Sequence, residues 1–269
     1  METLYNSISR PGGPFVVSIT VGIILFIAAG ILLARGRGFS KPVRIAMQIL
    51  TILLFGYLTL VLGLQWHISG HAPFAGSYSV MMLMAWLVTI AMTALRRSLP
   101  IIQPMGFILA GFTMLVASLS YTEPGHLAPV LRSPLLGVHV LCMMVSYTLF
   151  GLSALIGVMG LIQKKPQAQS MLRDVTLTIL YPAVFILTTG TFIGAVWANI
   201  SWGSYWTWDP KETWALITML VYSAGLHGST ISRFNRPRFF HAYTILAFIT
   251  VLITYFGVNL LLGGMHSYS

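Results

Sequence analysis

The residues best suited to binding chemistry are concentrated in one stretch of thirteen, WGSYWTWDPKETW, from Trp202 to Trp214. It holds four of the seven tryptophans and, at Asp209 and Glu212, two of the five acidic residues. Because indole faces stack on flat rings, the pattern indicates a site for a planar ligand. Tryptophans at a membrane surface also form an interfacial belt, but a belt distributes its rings over all helix ends.

The two carboxylates of this stretch could act as a general acid and base. They also stand where a helix is predicted to begin, and carboxylates there accept hydrogen bonds from unpaired N–H groups. Since Pro210 suits the first helical position, we predict that Asp209 caps the helix and orients the loop. Gly203 would allow the backbone to approach a ligand closely.

Histidine provides the second set of candidates, at His67, His71, His126, His139, His227, His241 and His266. We predict that His139, in the fifth apolar run, and His266, just beyond the eighth, bind a haem iron, whose axial positions two imidazoles can fill. His227 is expected inside the membrane, where an ionisable side chain is a functional hypothesis by default, although Ser223 or Ser229 could equally satisfy it by hydrogen bonding. The other four are expected to be solvated loop residues.

Membrane helices must position these residues. The chain of 269 residues is 57% hydrophobic and only 7% charged, whereas roughly a quarter of the residues in a soluble domain are charged. Its apolar runs of about 20 residues can cross a hydrocarbon core of about 30 Å. We predict an all-α polytopic membrane helix bundle, a single domain over residues 1–269 with about eight spans: Phe15–Ala34, Val43–Leu64, Gly76–Leu95, Ile101–Ser120, Pro134–Ile162, Leu177–Ile200, Thr213–Ile231 and Phe239–Leu262.

The basic residues predict the orientation. Alternate loops carry twelve of the 15 lysines and arginines, and cytoplasmic loops are enriched in these residues. Both termini and the tryptophan-rich loop, residues 199–213, are therefore expected outside the cytoplasm. Insertion also explains the net charge of +10 without nucleic acid. A single cysteine, Cys142, excludes an internal disulfide and a covalent CxxCH haem site within this chain.

Several stretches resemble one family. WGSYWTWDPKETWALIT resembles the WGxxWxWD signature of the tryptophan-rich haem-handling proteins of cytochrome c maturation, and its second half resembles their CcsA (ResC) branch. Ser69–Phe74 is similar to an outer loop of that branch, and Leu135–Tyr147 and Tyr255–Tyr268 are similar to its two external histidine segments. VYSAGLHGS places His227 where the family has a transmembrane histidine. The resemblance extends from about Gln65 to the C-terminus.

The resemblance implies a haem-exporting subunit of a cytochrome c synthase. Haem b, as transported co-substrate, would pass a transmembrane site that includes His227 and then be bound outside by His139 and His266. The residues implied around that external haem are Trp202, Gly203, Tyr205, Trp206, Trp208 and Asp209. An apocytochrome c would offer its CxxCH segment for thioether formation. A CcsB (ResB)-type membrane protein is the implied partner, in a bacterial cytoplasmic or a thylakoid membrane.

Two alternative functions also involve haem. A delivery module of the CcmC type would present haem without attaching it, but eight spans and the WDPKETWA continuation favour the synthase. A haem b electron-transfer subunit would carry histidine pairs on facing spans, and only His227 is predicted at mid-membrane depth.

Overall fold

The computed structural model of the chain describes residues 2–9, 12–74, 76–121, 132–228 and 230–262. Within these ranges every regular element is a helix. Seven of the helices are long and apolar enough to cross a membrane. The prediction of an all-α polytopic membrane bundle is therefore confirmed, and the chain is an integral membrane protein.

The helices follow one another with short connections. They are α1 (Glu2–Ile8), α2 (Gly12–Ala34), α3 (Lys41–Ser69), α4 (Ser77–Leu95), α5 (Ile102–Leu119), α6 (Pro134–Ile162), α7 (Pro166–Trp202), α8 (Pro210–Leu226) and α9 (Pro237–Leu252). A short 3-10 helix, Ser232–Asn235, precedes α9, and a π-helical segment, Ile253–Leu262, continues it. The seven candidate spans are α2 to α7 and α9 with the first turn of the π-helical segment.

The predicted seventh span, Thr213–Ile231, is wrong at its C-terminal end. Helix α8 has 17 residues and stops one residue before His227. The carbonyl of His227 accepts a hydrogen bond from the N–H of Ile231 at 2.8 Å, which closes a turn. Gly228 follows His227, and glycine is a weak helix former. Among the described residues there are thus seven candidate spans, and α8 is a shorter helix rather than an eighth span.

The helices group into two compact units, Met1–Ala128 and Pro129–Ser269. The single membrane domain over residues 1–269 stays a prediction. In the first unit, α5 packs against both α2 and α4, and α3 packs against α4.

Tyrosines hold α1 against the first unit. The hydroxyl of Tyr57 on α3 donates to the carbonyl of Ile8 at 2.9 Å, and the hydroxyl of Tyr78 on α4 donates to the carbonyl of Ser9 at 2.5 Å. Tyr5 on α1 is itself 1% exposed, and burial raises the pKa of its phenol to about 12. The N-terminal helix is therefore a packed part of this unit.

The second unit is built around the antiparallel pair α6 and α7, which make the most extensive helix contact in the described structure. Helix α9 packs on α6, and α8 contacts both α7 and α9. Glycines on the facing surfaces, Gly190 and Gly194 of α7 and Gly160 of α6, let neighbouring side chains approach the backbone, as small residues do between membrane helices. This unit carries the tryptophan-rich stretch and the predicted histidine ligands.

Candidate functional site

His139, the sixth residue of α6, packs against the backbone of α7. Its Nδ1 lies 2.7 Å from the carbonyl oxygen of Gly190. Because a carbonyl only accepts hydrogen bonds, Nδ1 carries the proton and Nε2 carries the lone pair. A Cβ added at Gly194 would lie 2.5 Å from Nδ1, so the ring occupies space that this glycine leaves. Metal-binding histidines are commonly oriented by a hydrogen bond from the other ring nitrogen to a carbonyl. The arrangement fits an axial ligand of haem iron.

The tryptophan-rich loop begins at the same end of α7. Trp202 is eight residues beyond Gly194, a rise of about 12 Å along the helix. Gly203 then caps α7 with φ 80°, and its N–H donates to the carbonyl of Asn199 at 2.9 Å. This backbone conformation strains a residue with a Cβ, so glycine is favoured at this helix end. The contact of His139 with Gly194 therefore lies about 12 Å along α7 from the start of the loop.

Two carboxylates stabilise the central part of the tryptophan-rich loop, the connection of residues 203–209 between α7 and α8. Asp209, 7% exposed, accepts a hydrogen bond from the N–H of Lys211 at 2.9 Å, and Pro210 opens α8. The predicted capping role of Asp209 is confirmed. Glu212 reaches back, and its Oε2 accepts the N–H of Thr207 at 2.7 Å. Burial lowers the pKa of the Lys211 ammonium, and the nearby Asp209 carboxylate acts in the opposite direction.

The aromatic residues form an inner and an outer pair. Trp197, 2% exposed, meets Trp202 edge to face with ring centroids 4.9 Å apart, and Trp206 meets Trp208 at 5.9 Å. Trp208 and Tyr205 are the most exposed members, at 68% and 59%. Trp208 also has φ 60°, a left-handed conformation that costs a residue with a side chain about 1–2 kcal/mol. Such strain concentrates at ligand clamps and active sites, so the loop presents exposed rings on a constrained backbone.

His227 lies at the other end of α8, about 25 Å from the first residue of that helix, and its side chain is exposed. Nδ1 lies 2.7 Å from the backbone carbonyl of Ser223, so again Nδ1 carries the proton and Nε2 the lone pair. Of the two hydrogen-bond partners considered from the sequence, Ser223 takes part through its backbone rather than its hydroxyl. Ser229 lies outside the described residues. His227 and His139 are thus at opposite ends of the second unit.

The other predicted positions divide as follows. His266 lies outside the described residues, as does His126. His67 is exposed, but it lies in the last turn of α3 rather than in the predicted loop. The Nδ1 atom of His71 lies 3.0 Å from the carbonyl oxygen of Ala72.

His241 contradicts the prediction of a solvated loop residue, because its side chain is 0% exposed. Its Nε2 lies 3.0 Å from the carbonyl of Gln169, and a Cβ added at Gly160 would lie 2.4 Å from the ring. The position near the start of the eighth apolar run suggested a loop, but α9 begins at Pro237 and turns this residue into the interface with α6. The imidazole of His241 is packed in the interface between α9 and α6.

The sequence carries one signal for the environment of His139. Gly190 and Gly194 have the GxxxG spacing, which brings membrane helices into close contact. Glu212 stands three residues after the cap Asp209, as in a capping box, but its carboxylate binds the N–H of Thr207 rather than that of the cap residue.

The described side chains suit haem better than a bare metal ion. Among them, no group of three or more His, Cys, Asp or Glu side chains could hold an ion. Haem iron arrives with four porphyrin nitrogens and needs only axial ligands from protein. The oriented imidazole of His139 could supply one such axial ligand.

Sequence and structure comparisons place the chain among known proteins. Residues 74–266 match the family described as Cytochrome C assembly protein. Protein NrfI of Wolinella succinogenes is 34% identical, over 93% of this chain and 29% of that protein. Cytochrome c biogenesis protein CcsA of Prochlorococcus marinus (strain MIT 9301) is 31% identical, over 91% of this chain and 92% of that protein. The CcsA of Guillardia theta is 32% identical, over 81% of this chain and 83% of that protein.

The fold of the chain is also similar to that of a solved structure. Cytochrome c Heme Lyase CcmF has a TM-score of 0.63 at 18% identity, and the match covers 89% of this chain and 46% of that one. This chain therefore corresponds in length to the CcsA proteins and to only a part of NrfI and CcmF.

The helices and these matches define an integral membrane protein of cytochrome c biogenesis. The chain belongs to the Cytochrome C assembly protein family, and within it to the CcsA type.

Proposed function

We propose that the chain carries haem b across the membrane and presents it to apocytochrome c, as the CcsA-type subunit of a cytochrome c synthase. The observation that carries this proposal is the orientation of His139. Its tautomer is fixed by Gly190 and its ring rests on Gly194, at the end of the second unit where the tryptophan-rich loop begins. His266 is proposed as the second axial ligand of the external haem.

The tryptophan-rich loop is proposed to cover the external haem. Stacking on indole faces would hold the flat macrocycle, and hydrogen bonds to Asp209 and Glu212 keep the loop in one conformation before the ligand arrives. Preorganisation reduces the entropy lost on binding. The residues proposed to line this site are Trp202, Gly203, Tyr205, Trp206, Trp208 and Asp209.

The chemical role of the chain is to bring two reactants together. Haem b carries two vinyl groups, and each cysteine thiol of a CxxCH segment adds across one of them. A C–S bond forms at one vinyl carbon and the proton goes to the other, so no oxidant is consumed. Holding the haem edge where the peptide can reach it converts a bimolecular step into an effectively unimolecular one, which is the contribution of proximity and orientation.

His227 is proposed as a ligand of a second haem position on the path through the membrane. Its exposed imidazole, with Nε2 as the lone-pair nitrogen, needs a second axial ligand from elsewhere, and a CcsB-type partner is the proposed source. The distribution of lysine and arginine supports a tryptophan-rich loop outside the cytoplasm. The host membrane is proposed to be the bacterial cytoplasmic or the thylakoid membrane.

The test is the haem content and visible spectrum of the purified protein, alone and with a CcsB-type partner. Wild type is compared with His139→Ala, His266→Ala and His227→Ala, and His67→Ala is the matched control because His67 is exposed. We expect a low-spin spectrum that weakens in His139→Ala and His266→Ala and is unchanged in His67→Ala. His227→Ala is expected to lower the haem that copurifies with the complex.

Three outcomes would contradict parts of the proposal. No haem in any preparation, even with ample haem and the partner, would reject haem binding. Unchanged haem in the histidine variants would reject the ligands while retaining haem. Haem bound normally without thioether formation on a CxxCH peptide would reduce the role to delivery.

A further inference from the structure

The turn that follows His227 is tied to a different helix. The side-chain amide of Asn235 donates from Nδ2 to the carbonyl of Gly228 at 2.9 Å. The Oδ1 of the same amide accepts from Nη2 of Arg173 on α7 at 3.1 Å. A chain of two hydrogen bonds therefore runs from α7 to the residue directly after His227.

Arg173 is itself held from two more sides. Its Nε donates to the carbonyl of Phe234 at 2.9 Å, and its guanidinium carbon lies 5.3 Å from the ring centroid of Phe240. The Arg173 side chain is 17% exposed, whereas the neighbouring carboxylate of Asp174 is 72% exposed at 3.4 Å. An exposed ion pair of this kind contributes little to stability. The main contacts of Arg173 are therefore those with the 232–235 segment.

The fit leaves no spare room at Gly228. A Cβ added there would lie 2.9 Å from Oδ1 of Asn235 and 3.3 Å from Nη2 of Arg173. The side chains therefore close directly over the backbone that carries His227. Lysine could not replace Arg173 in this geometry, because the guanidinium places donors in a rigid planar fork and the ammonium is a single point of charge.

We propose that the Arg173–Asn235 pair, here called the latch, consists of positioning residues that hold His227 in its haem-binding orientation. The inference rests on the proposed function of His227. The imidazole is fixed to its own helix through Ser223, but α8 ends at that point, so the path of the chain beyond it decides where the ring stands. The latch anchors that path to α7 and α9.

The test isolates the His227 position by using the complex with a CcsB-type partner in a His139→Ala, His266→Ala background. Three variants open the latch in different ways. Arg173→Lys keeps the charge and loses the fork, Asn235→Asp keeps the acceptor for Arg173 and loses the donor to Gly228, and Gly228→Ala crowds the latch without changing charge. Arg238→Lys is the control, since Arg238 is exposed at the start of α9.

We expect all three variants to bind added haem about tenfold more weakly, with a shifted low-spin spectrum. This is the low end of the roughly 10–100-fold loss that follows removal of a direct partner of a metal ligand, because the latch acts on His227 only through the backbone. Arg238→Lys should match the parent. Thermal stability and membrane level are measured in parallel. A loss of stability with unchanged haem affinity and spectrum per folded complex would overturn the proposal and leave a structural role. If His227→Ala also leaves haem unchanged in this background, the haem position itself is rejected and the latch with it.

Discussion

The substitution Gly194→Ala would test how α7 orients His139 without removing the imidazole. The added methyl group would lie 2.5 Å from Nδ1 and 2.6 Å from Cε1 of His139, whereas carbon and nitrogen atoms in contact are about 3.5–4.0 Å apart. The ring must therefore move by about 1 Å. Its hydrogen bond to Gly190, now 2.7 Å long, would lengthen beyond the range in which such a bond is effective.

Two costs follow from this displacement. Overpacking a tight interface costs about 1–3 kcal/mol, and a lost hydrogen bond costs about 1 kcal/mol. The tautomer of His139 would also no longer be fixed, and loss of such a partner lowers metal affinity about 10–100-fold. We expect haem affinity to fall by this factor and the low-spin spectrum to weaken.

The assay is a haem titration of the purified protein followed in the Soret band. Gly106→Ala controls for overpacking, since a methyl group there would lie 2.3 Å from Met92 in the first unit. Gly63→Ala controls for the substitution itself, because nothing lies within 4 Å of its Cβ position. If Gly194→Ala binds haem as tightly as wild type with the same spectrum, or if Gly106→Ala weakens haem equally, the reasoning about His139 is refuted.

Two further predictions concern the tryptophan-rich loop. Glu212→Ala removes the acceptor of the Thr207 N–H, a charge-assisted hydrogen bond worth about 1.5–3 kcal/mol. This variant should be cleaved faster by protease within residues 203–209 and should bind less haem, whereas Glu212→Gln should stay close to wild type. Equal rates of proteolysis for both variants would exclude this role of Glu212. Trp208→Gly relieves the left-handed backbone strain that Trp208→Ala retains, so the glycine variant should be the more stable of the two in thermal unfolding, by about 1 kcal/mol. Both variants should bind less haem than wild type. The reverse order of stability would show that the backbone at this position is unstrained.

The fold was largely predictable because the signal for a membrane helix is local. Apolar runs alone located every candidate span, since lipid requires each segment to satisfy its own backbone hydrogen bonds. The helix ends were less predictable. Helix α7 covers Pro166–Trp202 rather than Leu177–Ile200, because polar residues such as Arg173 continue the helix beyond its apolar part. Helix α8 ends at Leu226, and the turn after it is held by Asn235 through the carbonyl of Gly228, a contact that no local pattern indicates.

The site was predictable where its determinants are close in sequence. The cap formed by Asp209 follows from the residues beside it. The hydrogen bond between His139 and Gly190 joins residues 51 positions apart, so only the GxxxG spacing hinted at it. The burial of His241 likewise depends on Gly160 of another helix. Tertiary contacts of this kind decide the surroundings of a histidine, and composition carries no information about them.

The two oriented histidines differ in what holds them, and this difference bears on how haem would be exchanged. Both place the proton on Nδ1 and the lone pair on Nε2. The ring of His139 is hydrogen-bonded to the neighbouring helix α7, whereas the ring of His227 is hydrogen-bonded to the last turn of its own helix. Along α7, Arg173 of the latch and Gly190 are separated by about 25 Å, close to the thickness of a hydrocarbon core. A ligand bound at one histidine cannot reach the other without leaving the first. On the proposed function, the firmly packed His139 suits retention of haem for chemistry, and the exposed His227 suits transient binding completed by a second chain.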